Sequence, residues 1–164
     1  MIKKLNILIL TMLGIGKSKY APGTVASFTT LLIFILFYVY KINISLLVLI
    51  TILIFTYSVF SIDRYQNYFK EIDSKEIVID ELIGQSIPIL TIYSFIPKDS
   101  IGSFMLYGLI SFLLFRFFDI AKPYPINKID KNMKNGFGVI LDDIIAGIYS
   151  SLILLTIVSL TYYG

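Results

Sequence analysis

The chain of 164 residues contains no cysteine and no histidine. Without cysteine there are no disulfides, thiolate nucleophiles or thiolate-bound metals. Without histidine there is no imidazole base, no phosphohistidine intermediate and no imidazole metal ligand. Charge is also scarce. Only 15% of residues are Asp, Glu, Lys or Arg, against about 25% in soluble domains. The net charge is only +3, and the basic residues are scattered among aliphatic runs, so no stripe suited to nucleic acid forms. Any chemistry must use carboxylates, Lys, Arg, hydroxyls, amides, backbone groups or a metal held by oxygen.

What is abundant is apolar. Hydrophobic residues make up 57% of the chain, and the mean hydropathy is +0.83. The composition indicates an all-α, polytopic membrane helical bundle in one domain, 1–164, with about four to five membrane helices. Five apolar stretches lie near 24–40, 44–62, 82–96, 101–118 and 139–162. A crossing helix needs about 20 residues. The first, second and fifth are long enough. The third and fourth are short and separated by Pro97-Lys98-Asp99, so they form either a tight helical hairpin or a pair that does not fully cross. The start, "MIKKLNILILTMLGIGKSKY", has some signal-peptide character. Its apolar stretch, residues 5–13, is minimal, and Lys17 and Lys19 follow at once. An interfacial helix feeding the first span is the better reading.

If all five stretches cross, every basic residue except Lys41 and Lys98 falls on one side. The positive-inside rule makes that side cytoplasmic and leaves the C-terminus outside. Of the acidic residues, only Asp99 falls opposite. In "VILDDIIAGIYS", residues 139–150, two aspartates interrupt an apolar run. A carboxylate at mid-bilayer costs roughly 2.5–3.5 kcal/mol. Near the inner end of the fifth helix, Asp142 and Asp143 escape much of that cost.

Four polar clusters share this depth. In "GIGKSKYAPGTVASF", residues 14–28, Pro22-Gly23 marks a turn and Thr24 is placed to cap the next helix, whose free N–H groups would suit phosphate. An ordinary turn and cap explains the same residues. In "DSKEIVIDELIGQ", residues 73–85, Asp73 and Glu76 resemble a capping box. Asp80 and Glu81 follow at the membrane boundary, either as site residues or as a charged collar. Glu81 and Gln85 share a face, and Gly84 admits a neighbouring helix. In "FRFFDIAKPYPINKID", residues 115–130, Arg116, Asp119 and Lys122 are spaced as an i, i+3 ladder before Pro123 and Pro125 end the helix. They form either a structural ladder or phosphate binders. In "NGFGVILDDIIAGIYS", residues 135–150, Gly136 and Gly138 give a flexible approach. Small residues lie below the aspartates: Ala146 under Asp142, and Gly147 and Ser151 under Asp143. These let other helices pack there. The competing reading is a helix start matched to the dipole.

Asp80, Glu81, Asp119, Asp142 and Asp143 thus gather at one depth, where they repel one another unless a positive charge sits among them. Oxygen ligands alone suit a hard cation, above all Mg²⁺. Two to four of the five are expected to be direct ligands, with Glu81 a candidate proton acceptor and Asp143 the aspartate nearest a neighbouring helix. Gly23, Thr24, Ser27, Arg116 and Lys122 are the candidate phosphate binders. Metal, phosphate site and membrane together suggest chemistry on a lipid phosphate.

In "APGTVAS" (21–27), "IVIDELIGQ" (77–85), "FRFFDIAKPYPI" (115–126) and "GFGVILDDIIAG" (136–147), in this order, the chain resembles the phosphatidylglycerophosphatase A family. The resemblance implies Mg²⁺-dependent hydrolysis of phosphatidylglycerol phosphate to phosphatidylglycerol and phosphate, at the cytoplasmic face of the bacterial inner membrane. Two departures stand out. Lys17-Ser18-Lys19 replaces a frequent Leu-Ser-Pro, and Asn135 replaces the first glycine of a usual pair. A histidine-dependent lipid phosphatase is excluded, and the Asp-Gly-x-x-Ala-Arg pattern of CDP-alcohol phosphotransferases is absent. The non-enzymatic alternative is a small transporter or cation-binding subunit using the same carboxylates as an ion path. Such a path places acids at several depths. The partners expected are a phospholipid substrate and the membrane, not nucleic acid.

Overall fold

A computed structural model describes residues 2–69, 74–97 and 99–163, without the side chains of Ile2, Gln66, Tyr162 and Tyr163. Lys70, Asp73 and Lys98 lie outside the described residues, so the Asp73–Glu76 capping box is not addressed. All regular structure among the described residues is helical: α1 (Ile2–Leu10), α2 (Pro22–Val39), α3 (Ile44–Tyr65), α4 (Ile79–Phe95), α5 (Ile101–Ala121), α6 (Ile126–Asn132) and α7 (Gly136–Tyr163), with short 3₁₀ turns at Ile15–Lys17 and Gln66–Tyr68.

Four helices are long and apolar enough to cross a membrane: Pro22–Val39, Ile44–Tyr65, Ile101–Ala121 and Gly136–Thr161. The fourth apolar stretch is therefore not short. Helix α5 runs on through Arg116 and Asp119, because these two charges pair with each other at 2.6 Å. The third stretch, α4, has 17 residues and is not among the four. Its difference is environmental. Ten of its residues are buried, including Asp80, Gln85 and Ser86, whereas α3 buries only four of 22. Helix α4 is the central column. It is packed by α2, α3, α5 and α7, so neighbouring protein, rather than lipid, receives its polar residues.

The tightest contact joins α4 to α7. A Cβ on Gly84 would lie 2.7 Å from the Asp143 carbonyl oxygen, and one on Gly147 would lie 2.4 Å from the Gly84 carbonyl oxygen. Pro88, inside α4, lacks the N–H that would bond the Gly84 carbonyl four residues earlier. Gly147 packs its bare backbone on that carbonyl, the close approach that small residues permit between membrane helices. Deeper in the bundle the polar pairs are neutral. Gln85 Nε2 donates to Ser111 Oγ at 3.2 Å, and Thr91 Oγ1 to Ser151 Oγ at 3.3 Å.

The two ends of the bundle differ. At one end Tyr38 stacks on Phe104, Tyr93 donates to the Ile42 carbonyl, and Lys41 pairs with Asp99 across the α2–α3 and α4–α5 connections. At the other, the Val78 N–H donates to the Leu10 carbonyl at 3.1 Å, and Gly16 packs on the Glu76 backbone. Asn6 of α1 bonds Tyr57 and Tyr65 of α3. Helix α1 and the following loop therefore form a cap on this second end.

Candidate active site

The four polar clusters converge at the second end. Asp80 and Glu81 begin α4, and the Asp80 carboxylate accepts the Glu81 N–H at 3.1 Å. Asp143 reaches them from the second turn of α7. Ligand oxygens of Asp80, Glu81 and Asp143 all lie within 4.8 Å of one another. Asp80 and Asp143 are 8% and 4% exposed. Three carboxylates this close, two of them buried and Glu81 half-buried, need compensating positive charge. Glu81 Oε2 is buried without a hydrogen-bond partner. An orphaned oxygen inside an all-oxygen cluster fits a hard divalent cation, and the three residues are able to hold one.

The other two candidate carboxylates are already engaged. Asp119 Oδ2 lies 2.6 Å from Arg116 Nη1. Asp142 Oδ2 accepts from Lys122 Nζ at 2.9 Å, and Lys122 also pairs with Asp130 at 2.8 Å. The expected Asp119–Lys122 rung is thus replaced. Helix α5 ends at Ala121, and Lys122 adopts a left-handed conformation with φ of 42°. This turn sends its side chain toward α6 and α7 instead of back along α5. Burial pushes the Lys122 ammonium down, but hydrogen bonds to Asp130 and Asp142 outweigh it and hold the group above the usual lysine range. Lys122 therefore stays charged and bridges two carboxylates.

Arg116 faces the cluster with spare capacity. Its Nε and Nη1 make no hydrogen bond of good geometry, despite the ion pair with Asp119. It also lies beside the start of α2. A Cβ on Gly23 would sit 2.0 Å from Glu81 Oε1 and 3.2 Å from Arg116 Nη1. Thr24 is not the cap of α2. The N-cap is Ala21, with φ of 41° and no side-chain cap bond, and Pro22 takes the first helical position. That leaves the Gly23 and Thr24 N–H groups without a carbonyl one turn earlier, with Gly23 beside Glu81 and Arg116. Ser27 is fully buried and donates to the Gly23 carbonyl at 2.8 Å. It braces this turn and does not present its hydroxyl to the cluster.

The start of α7 is fixed, not flexible. The Gly136 N–H is held by Asp63 Oδ1 at 2.5 Å and the Gly138 N–H by Asn135 Oδ1 at 2.7 Å. Asn135, a departure by sequence, acts as a helix cap. Asp63 was not singled out by the sequence, and its place on α3 gave no local signal. Asp142 and Asp143 are the seventh and eighth residues of α7. Dipole stabilisation fades within the first turn, so it does not explain them.

A helical membrane bundle that gathers a carboxylate trio, an underused arginine and free helix N–H groups at one end holds the kinds of group that phosphoryl transfer uses. The profile of the family described as "PgpA: Phosphatidylglycerophosphatase A" matches residues 8–158, and the chain belongs to that family. It is a phospholipid phosphatase. Among its relatives, a Bacteroides thetaiotaomicron protein provisionally named a phosphatidylinositol-3-phosphatase is 32% identical over 92% of this chain and 91% of its own length. The phosphatidylglycerophosphatase A of Escherichia coli is 32% identical, over 86% of this chain and 76% of its own. That of Haemophilus influenzae is 39% identical, over 52% and 47% respectively. No solved structure matches the chain.

Proposed function

We propose that this protein hydrolyses the phosphomonoester of phosphatidylglycerol phosphate, with Mg²⁺, at the cytoplasmic face of the inner membrane. The observation that carries the reading is the close trio of Asp80, Glu81 and Asp143, two of them buried and Glu81 half-buried, next to Arg116 and the free N–H groups of α2 in a chain of this family. Asp80, Glu81 and Asp143 would hold the metal. When bound, Mg²⁺ neutralises phosphoryl oxygens and makes a water more acidic.

The chain's own groups supply the rest. Arg116 and the Gly23 and Thr24 N–H groups bind the phosphoryl oxygens and stabilise the charge that spreads over them during transfer. Glu81 takes a proton from the attacking water. Attack on phosphorus breaks the bond to the headgroup oxygen, which leaves as the alcohol with the proton that Glu81 took from the water. Lys122 and Asp142 keep α5, α6 and α7 in register around the site. The concentration of lysine and arginine around this end, with only the Lys41–Asp99 pair described at the other, supports the cytoplasmic orientation. The ion-path alternative is disfavoured by depth. Buried carboxylates among the described residues are confined to Asp80, Asp142 and Asp143, and the polar groups beyond them are neutral.

The test is phosphate release by the purified protein. Activity should vanish in EDTA and return with Mg²⁺. Full activity in the chelator would overturn the metal assignment. The relative named for phosphatidylinositol 3-phosphate makes that lipid the necessary competitor substrate. A higher kcat/KM on it than on phosphatidylglycerol phosphate would overturn the substrate assignment and leave the phosphatase intact.

A second test uses Gly23→Ala. Alanine favours a helix over glycine by about 1 kcal/mol, so stability should hold or rise. The added methyl must displace the Glu81 carboxylate, and misplacement by about 1 Å can cost about 10²-fold in turnover. Wild-type turnover with an unchanged melting curve would remove Gly23 from the site.

A further inference from the structure

The cap at the active-site end carries a feature that the reaction does not use. A cleft of about 510 Å³ lies between α1 and the loop after it, lined by Lys3, Lys4, Lys17, Ile7, Leu8 and Tyr68 among others. Among the described residues, no acidic side chain lines it. Lys3, Lys4 and Lys17 are exposed, and none has a carboxylate within ion-pair distance among the described residues. Lys3 instead lies 5.3 Å from the centre of the Tyr68 ring. Around the lysines, Leu5, Leu8 and Leu13 are 58%, 42% and 79% exposed. Exposed leucines beside unpaired lysines are the pattern of a helix lying in the bilayer interface.

We infer that this cleft is a binding site for the headgroup of an anionic phospholipid, separate from the catalytic cluster. The shape, charge and setting agree. The volume lies in the range of small-molecule sites. Three lysines line it with no acidic side chain among the described residues, while Ile7 and Leu8 supply an apolar wall for the glycerol and first methylenes. Lys17 belongs to the segment in which this chain departs from the usual Leu-Ser-Pro, so the extra charge is a property of this sequence. A second groove shares Lys17 and Tyr68 with the first and is lined also by Lys19, Lys75 and Pro22, with Glu76 the one acid among the described residues there. Pro22 immediately precedes Gly23, which touches Glu81. A lipid held in the cleft therefore waits beside the mouth of the active site. The inference rests on the membrane placement of the chain and not on the reaction assigned to it.

The probe is phosphatidylglycerol, which carries a phosphodiester and no cleavable monoester. Delipidated protein in non-ionic detergent is titrated with it, and bound lipid is counted by native mass spectrometry. One phosphatidylglycerol should be retained per chain at concentrations where phosphatidylcholine is not. Each lysine at a lipid surface contributes about fivefold in affinity, so Lys3→Gln/Lys4→Gln/Lys17→Gln should weaken retention roughly a hundredfold. Lys17→Gln alone should weaken it about fivefold, which keeps the test open if the triple variant folds poorly. Lys41→Gln, at the opposite end, should change nothing. Asp143→Asn should retain the lipid. Equal binding of phosphatidylcholine, unchanged binding in the lysine variants, loss in Asp143→Asn, or displacement by millimolar inorganic phosphate would each overturn the site.

Discussion

Asp143→Asn should reduce phosphate release by roughly 10²–10³, the usual effect of removing one preorganised electrostatic group, while the protein folds and inserts normally. Asn keeps the size and much of the hydrogen-bonding capacity of Asp but removes a charge. Asp143 is 4% exposed and shares its pocket with Asp80 and Glu81. In the metal-free protein, neutralising one of three crowded carboxylates relieves repulsion. The melting temperature measured in chelator should therefore match or exceed that of the wild type. Asp142→Asn removes the same charge one residue earlier, but from a carboxylate already bonded to Lys122. Its loss of turnover should be smaller and should come with lower stability. Normal turnover in the folded Asp142→Asn/Asp143→Asn double variant would leave the phosphatase mechanism without its centre.

The contrast between these two aspartates shows where the sequence is informative. In a chain this apolar, any carboxylate inside a hydrophobic run is conspicuous, because burying it requires a reason. That physical cost made Asp80, Glu81, Asp119, Asp142 and Asp143 visible, and helical spacing placed them at one depth. Spacing along one helix does not reveal partners on another. Neighbours i and i+1 point about 100° apart, so Asp142 turns to Lys122 while Asp143 turns to α4. Lys122 was read as a rung with Asp119 because a continued helix would make it one. The left-handed residue that ends α5 breaks that register. Thr24 was read as a cap because Thr is a good one, but Pro22 fits the first helical position and moves the start of α2 earlier. The central place of α4 was equally hidden. Its short apolar stretch suggested half of a tight hairpin or an incomplete crossing, whereas its length and polar residues belong to a helix surrounded by protein.

Gly84→Val should be as damaging to turnover as Asp143→Asn but for a different reason, and stability separates the two. At position 84 the new Cβ would lie 2.7 Å from the Asp143 carbonyl oxygen, 2.8 Å from Asp143 Cβ and 2.7 Å from Phe115 Cε2. Two of these neighbours belong to Asp143, its backbone carbonyl and its Cβ, so a rotamer change cannot relieve the contact. Helix α7 must move away from α4, carrying Asp143 away from Asp80 and Glu81, and a shift of about 1 Å is enough to cost about 10²-fold in rate. The same movement separates Gly147 from the Gly84 carbonyl, which has no donor within α4 because of Pro88. Overpacking alone costs about 1–3 kcal/mol, so thermal unfolding should occur at a lower temperature than in the wild type, unlike in Asp143→Asn. Gly102→Ala is the control, since nothing lies within 4 Å of its added Cβ. A surface change of this kind should stay within about 0.5 kcal/mol and leave turnover unchanged. If Gly84→Val kept both wild-type turnover and wild-type melting, the close α4–α7 contact would not be what brings Asp143 to the other two carboxylates.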